Sequence, residues 1–136
     1  RMPAWHAARK RHAEELARSF RESPALRVPE PPADREHAWY KFYAFVRPER
    51  LKPEWSRDRI MNAIVEAGVP CYAGACPEMY REKVFRDARL EPSERLPAAA
   101  ELGETSLMFL VHPTLAPEHI SKTCTVVADV VRQATA

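Results

Sequence analysis

From Pro3 to about Phe20, Trp5, Ala8, His12, Leu16 and Phe20 recur three or four residues apart, with charge on the positions between them. The spacing predicts an amphipathic helix that carries Pro3 in its first turn, where a missing N–H costs little. Ser23-Pro24 ends it, because the residue before a proline is pushed out of the helical region. Leu26 to Val28 reads as a short strand, followed by a proline-rich crossing to Pro32. Between His37 and Arg47 the period changes to two. Ala38, Tyr40, Phe42, Ala44 and Val46 fall on one face, and Trp39, Tyr43 and Phe45 share the other with Lys41 and Arg47. A strand with large apolar groups on both faces is covered on both sides or leans on another domain.

Ser56 is placed to cap a helix whose stripe is Ile60, Met61, Ile64 and Val65, closed at Gly68. Val69 to Ala73 predicts a short strand, broken by Gly74-Ala75-Cys76-Pro77. Glu78 to Phe85 and Leu96 to Leu102 predict two short helices. Thr105 to Val111 is apolar between Gly103 and Pro113, which predicts a buried strand. Pro117 and Glu118 open a last helix with Ile120, Cys124, Val127 and Val131 on its core stripe. Helices and short strands mix without strict βαβ alternation. The predicted class is therefore α+β, a two-layer sandwich of a small, mostly antiparallel sheet with helices packed on it.

Composition narrows the function classes. In 136 residues, 21 basic side chains meet 19 acidic ones and interleave with them, which is no polyanion-binding signature and argues against a nucleic-acid partner. Three cysteines without a Cys-x-x-Cys pair, and histidines that are not clustered, argue against a disulfide framework or a zinc site and for a reducing, cytoplasmic setting. No apolar run approaches the roughly 20 residues that span a bilayer. The 13 prolines punctuate connections as rigid loops. The chain opens on helical pattern with Arg1 and no initiating methionine, which reads as the middle of a longer polypeptide.

Several stretches, taken in order, carry a family resemblance over nearly the whole chain. These are Pro3-Ala4-Trp5 with Arg9; His37-Ala38-Trp39-Tyr40-Lys41-Phe42-Tyr43; Ser56-Arg57-Asp58 with Glu66-Ala67-Gly68-Val69-Pro70; the block from Gly74 to Phe85; Leu96-Pro97; and His112-Pro113-Thr114-Leu115. Together they resemble the C-terminal region of the DegT/DnrJ/StrS sugar aminotransferases, of the aspartate-aminotransferase fold type. The resemblance implies a C-terminal small domain over 1–136, with 1–22 a connecting helix and 23–136 the α+β body. It also implies a parent enzyme that uses pyridoxal phosphate to aminate a nucleotide-linked keto-sugar, commonly as a homodimer. In the family the Schiff-base lysine and the acid facing the pyridinium nitrogen lie in the large N-terminal domain. Lys10, Lys41, Lys52, Lys83 and Lys122 match no such position. The resemblance thus implies a missing cofactor-binding domain, no cofactor on this chain and no activity from it alone.

Candidate substrate-binding residues are Tyr72, Tyr80 and Arg81, on a strand end, a loop and the start of a short helix, where a small domain presents groups to a cleft. Arg81 has the fork geometry for a phosphate. The competing reading has Tyr80 and Phe85 anchoring a helix and Arg81 solvated. Cys76 reads as a small buried hydrophobe rather than a nucleophile. His112 reads as a capping or core residue and His12 as packing, while Asp58 and Glu78 favour helix first turns. A separate class of function, a stand-alone α+β interaction module, fits the same architecture.

Overall fold

The computed structural model describes residues 2–136. Met2–Phe20 is helix α1, whose buried side is Ala8, His12, Ala13, Leu16, Ala17 and Phe20. Trp5, at the start of the predicted stripe, stands exposed beyond the core. Arg57–Glu66 forms α2 behind its Ser56 cap, the hydroxyl accepting from the Arg59 amide at 3.2 Å. Ile60 and Ile64 of α2 are fully buried, while Val65 turns to solvent.

Four short strands make one antiparallel sheet: β1 (Leu26–Arg27), β2 (Phe42–Val46), β3 (Cys71–Tyr72) and β4 (Ser106–Phe109), in the order β1-β2-β4-β3. Between β3 and β4 lie a 3₁₀ turn (Met79–Arg81), the short helix α3 (Lys83–Asp87) and α4 (Pro97–Thr105). The chain ends in α5 (Pro117–Ala134).

Alternation along the strands decides which side chains enter the core. Phe42, Ala44 and Val46 of β2, Leu107 and Phe109 of β4, Cys71 and Leu26 join buried residues of α1, α2 and α5 in a single cluster. Phe20 stands edge-on to both Phe42 and Phe109, with ring centroids 5.6 and 5.0 Å apart. Helix α1 is thus one wall of the core. The end of α5 is pinned by a bridge between Leu51 and Thr135 and by the Lys52 amide donating to the Ala134 carbonyl at 2.9 Å. No helix among the described residues is long and apolar enough to cross a membrane.

The structure corrects several expectations. The aromatic strand runs only from Phe42, because β4 offers partners to 42–45 and no strand among the described residues pairs with 37–41. Trp39 sits at φ +48, a bend that takes its ring off the Tyr43 side and stacks it on Phe42, while Tyr40 swings out to 73% exposure. Glu82 is extended, at ψ 148, and splits the helix expected over 78–85 into the 3₁₀ turn and α3. Thr105 closes α4 rather than opening a strand. His112 is exposed, and its ring accepts from the Thr114 amide in the turn that leads to α5, so it caps and does not pack. Cys76 is exposed rather than buried.

Candidate functional site

The sheet face turned away from the three long helices is built by cross-strand register. Tyr72 pairs with Met108, and Met108 with Tyr43, so these side chains share one face. Phe45 continues that face, with the Arg27 guanidinium 4.5 Å above its ring. Tyr72, at the sheet edge, is 47% exposed.

The segment that follows Tyr72 is fastened to this face. Ser106 donates its hydroxyl to the Ala73 carbonyl. Gly74 adopts φ +93 and lies so close over Tyr43 that a Cβ there would come within 2.8 Å of the ring. Pro77 is seated on Gly103 of α4. The loop is therefore a docked structure that presents the 3₁₀ turn in a fixed place.

At that turn the polar groups converge on one carboxylate. Glu78 Oε1 accepts from the Tyr80 hydroxyl at 2.7 Å and from Arg95 Nε at 2.8 Å, and its Oε2 accepts from Arg95 Nη2 at 2.7 Å. Arg95 Nη2 also reaches Glu104 at 2.9 Å, which ties the turn to α4. The Tyr80 hydroxyl in turn accepts the Leu96 amide at 3.0 Å. The Arg95 guanidinium, and secondly the Tyr80 hydroxyl, hold the Glu78 carboxyl at about 2, well below the carboxylate range. Desolvation, followed by the neighbouring Glu78 anion, pushes the Tyr80 phenol up. Glu78 was expected only to favour a helix start; instead it is the hub of this cluster.

Arg81 is placed differently. Its Nη1 lies 3.7 Å from Glu78 Oε2, beyond hydrogen-bond range, and its side chain is 58% exposed. The three candidate residues thus divide. Tyr80 and Arg81 meet at Glu78, the first by a hydrogen bond and the second by a long ion-pair contact, while Tyr72 lies half-exposed on the sheet face. Arg95 and Glu104 were not singled out from the sequence, because they join Glu78 from 17 and 26 residues away.

Cys76 donates its thiol to Glu82 Oε1 at 3.4 Å, and that acceptor raises the thiol above its ordinary value. A raised thiol is a poor nucleophile. No group of three or more His, Cys, Asp or Glu side chains gathers among the described residues to hold a metal. Lys52 and Lys122 donate to the Gln133 and Gly68 carbonyls, Lys41 lies over the Tyr40 ring, and Lys10 and Lys83 are exposed.

Comparison with known proteins gives this geometry a context. The family model for the DegT/DnrJ/EryC1/StrS aminotransferases matches residues 1–128. No curated protein matches the chain. Among solved structures, the chain is similar to an aminotransferase from Psychrobacter cryohalolentis, with 43% identity and a TM-score of 0.93 over 98% of this chain and 36% of that one. It also resembles the aminotransferase TlmJ from Streptoalloteichus hindustanus, at 19% identity and TM-score 0.82, over 98% and 33% of the two chains. A third is the GDP-4-keto-6-deoxy-D-mannose-3-dehydratase of E. coli, solved with bound hydrated PLP, at 17% identity and TM-score 0.72, over 92% and 31%. The last two likenesses concern the fold. The chain spans about a third of the length of these relatives.

Proposed function

The chain belongs to the DegT/DnrJ/EryC1/StrS aminotransferase family, and from that premise we propose that it is the C-terminal small domain of a pyridoxal-phosphate-dependent enzyme that aminates a nucleotide-linked keto-sugar. The amino donor is an amino acid such as glutamate, the setting is polysaccharide or cell-surface sugar biosynthesis, and the parent works as a cytoplasmic homodimer. The observation that carries this reading is the family match over 1–128. The 43% identity to the Psychrobacter aminotransferase supports it.

When bound, the cofactor supplies the electron sink for amino transfer. The five lysines of this chain do not fit the anchoring role, since a Schiff-base lysine is activated by a desolvated pocket or a neighbouring charge and theirs are spent on carbonyls or stand in solvent. In this reading the cofactor is anchored in a partner domain of the parent and this chain alone is inactive; the chain's span of about a third of its relatives' length supports it. Met79, Val84, Leu90, Leu96 and Leu102, all in the segment between β3 and β4, are exposed, which fits a partner that covers this segment.

The contribution of this chain is to bind and orient substrate and to wall off water. Arg81 takes diphosphate oxygens of the nucleotide-linked sugar, and Tyr72 packs its ring on the sugar or base. Tyr80 acts through Glu78, because its hydroxyl is committed as donor and acceptor. The test is the full-length gene product, purified with pyridoxal phosphate and incubated with glutamate and a panel of nucleotide-linked 3-keto and 4-keto sugars. Release of 2-oxoglutarate that depends on one of these sugars is expected. An intact holoenzyme spectrum with no transfer to any of them would overturn the reading.

A further inference from the structure

We propose that Arg95 is a positioning residue that keeps Arg81 available to the substrate by occupying the carboxylate which would otherwise capture it. The inference rests on the substrate-binding reading of Arg81 given above and adds the device that makes it possible.

Glu78 and Arg81 are three residues apart across a 3₁₀ turn. In that geometry side chains at i and i+3 eclipse, so an acid and an arginine there are natural partners. Left to themselves they would close into a local ion pair. Such a pair would turn the guanidinium inward and spend its donors on the chain.

The structure holds that pair in a long form, with Arg81 Nη1 3.7 Å from Glu78 Oε2 and outside hydrogen-bond range. Arg95 holds both Glu78 oxygens at 2.8 and 2.7 Å, and Tyr80 adds a third short contact at 2.7 Å. Those donors fill Oε1 and take one of the two acceptor sites of Oε2, which leaves a single site for a further guanidinium. Arg81 stays at 3.7 Å. Arg95 is itself anchored by Glu104 on α4, so the clamp is referenced to the helix and not to the turn it restrains. The bidentate fork has fixed geometry, which a lysine would not reproduce.

The experiment uses the full-length holoenzyme, with uridine diphosphate and thymidine diphosphate as probes and calorimetric Kd as the readout. Melting temperature serves as the folding control. Arg81→Ala is expected to weaken binding about tenfold, the range for losing charge-assisted hydrogen bonds. Arg95→Gln is expected to weaken it by a similar factor, because Arg81 then collapses onto Glu78. Arg95→Lys, which keeps the charge and loses the fork, should fall between and serves if the glutamine variant does not fold. The decisive variant is the double replacement Glu78→Gln with Arg95→Gln. With no carboxylate left to capture Arg81, binding should return to within roughly threefold of the parent.

If the double variant binds as poorly as Arg95→Gln alone, Arg95 merely stiffens the loop and the inference is overturned. Wild-type affinity in Arg95→Gln, alongside a weakened Arg81→Ala, also overturns it while leaving the role of Arg81 intact. Unchanged affinity in Arg81→Ala removes Arg81 from the substrate site and takes the inference with it, whether or not the enzyme transfers amino groups.

Discussion

Pro77 lies against Gly103 so closely that a Cβ at position 103 would sit 2.5 Å from the proline Cγ. The contact joins the loop after β3 to the helix before β4, the two segments that also share the Glu78–Arg95–Glu104 cluster. A proline ring cannot rotate away as a long side chain can, so relief requires the loop itself to move.

The first prediction is that Gly103→Ala displaces this loop. The clash is worth about 1–3 kcal/mol of overpacking, and the better helix propensity of alanine within α4 returns about 1 kcal/mol. A net loss of up to about 2 kcal/mol is expected, with faster tryptic cleavage at Arg81 and Lys83 in the full-length protein. Unchanged cleavage would show that Pro77 does not hold the loop down.

A second prediction concerns the core. Phe20 is 2% exposed, and its ring meets Phe42 and Phe109 edge-on. Phe20→Ala should cost about 3–5 kcal/mol in a denaturant titration, a loss large enough to unfold a small domain. A cost below about 1 kcal/mol would mean that α1 is a detachable connector rather than part of the body.

How legible the molecule is in its sequence depends on how local the determining interactions are. Ile60 and Ile64, and likewise Ile120, Val127 and Val131, bury as their spacing dictates, because a helix period sorts side chains before any partner is known. The strand from His37 was legible only from Phe42 onward. Alternating aromatics describe a surface, but a strand exists only where another lies beside it, and β4 ends its pairing at Phe42. Tyr80 and Arg81 were legible as polar groups on a loop after a strand. Their different contacts were not, because these depend on a cluster that includes Arg95 and Glu104, and no spacing rule links residues that far from Glu78.

The pH dependence of the cluster follows from the depressed Glu78 carboxyl. Its ordinary value is 4.5 and its folded value is about 2, so the folded state prefers the ionised form. Its contribution is then complete above the ordinary value and is lost as pH falls from about 5 through about 2. The difference in melting temperature between the parent and Glu78→Gln should be constant from pH 7 to 5.5 and shrink steadily below that. Arg95 stays charged throughout this window, so the carboxylate alone sets the midpoint. A difference independent of pH down to 2.5 would mean that the ion pair contributes nothing.

The cysteines supply the last prediction. Burial pushes the Cys71 thiol up to about 12, so almost no thiolate forms at pH 8, and the core shields the sulfur from reagent as well. Cys76 is open to solvent, and its thiol is raised chiefly because it donates to Glu82. Iodoacetamide at pH 8 should therefore label Cys76 well before Cys71, at a rate below that of an unstructured cysteine. Glu82→Gln removes the anionic acceptor and should accelerate labelling of Cys76 while leaving Cys71 protected. Peptide mass mapping of the alkylated protein reads both sites in one experiment. Equal labelling of the two thiols would mean that the sheet edge at β3 opens readily, and an unaltered Cys76 rate in Glu82→Gln would show that the thiol–carboxylate contact does not control its reactivity.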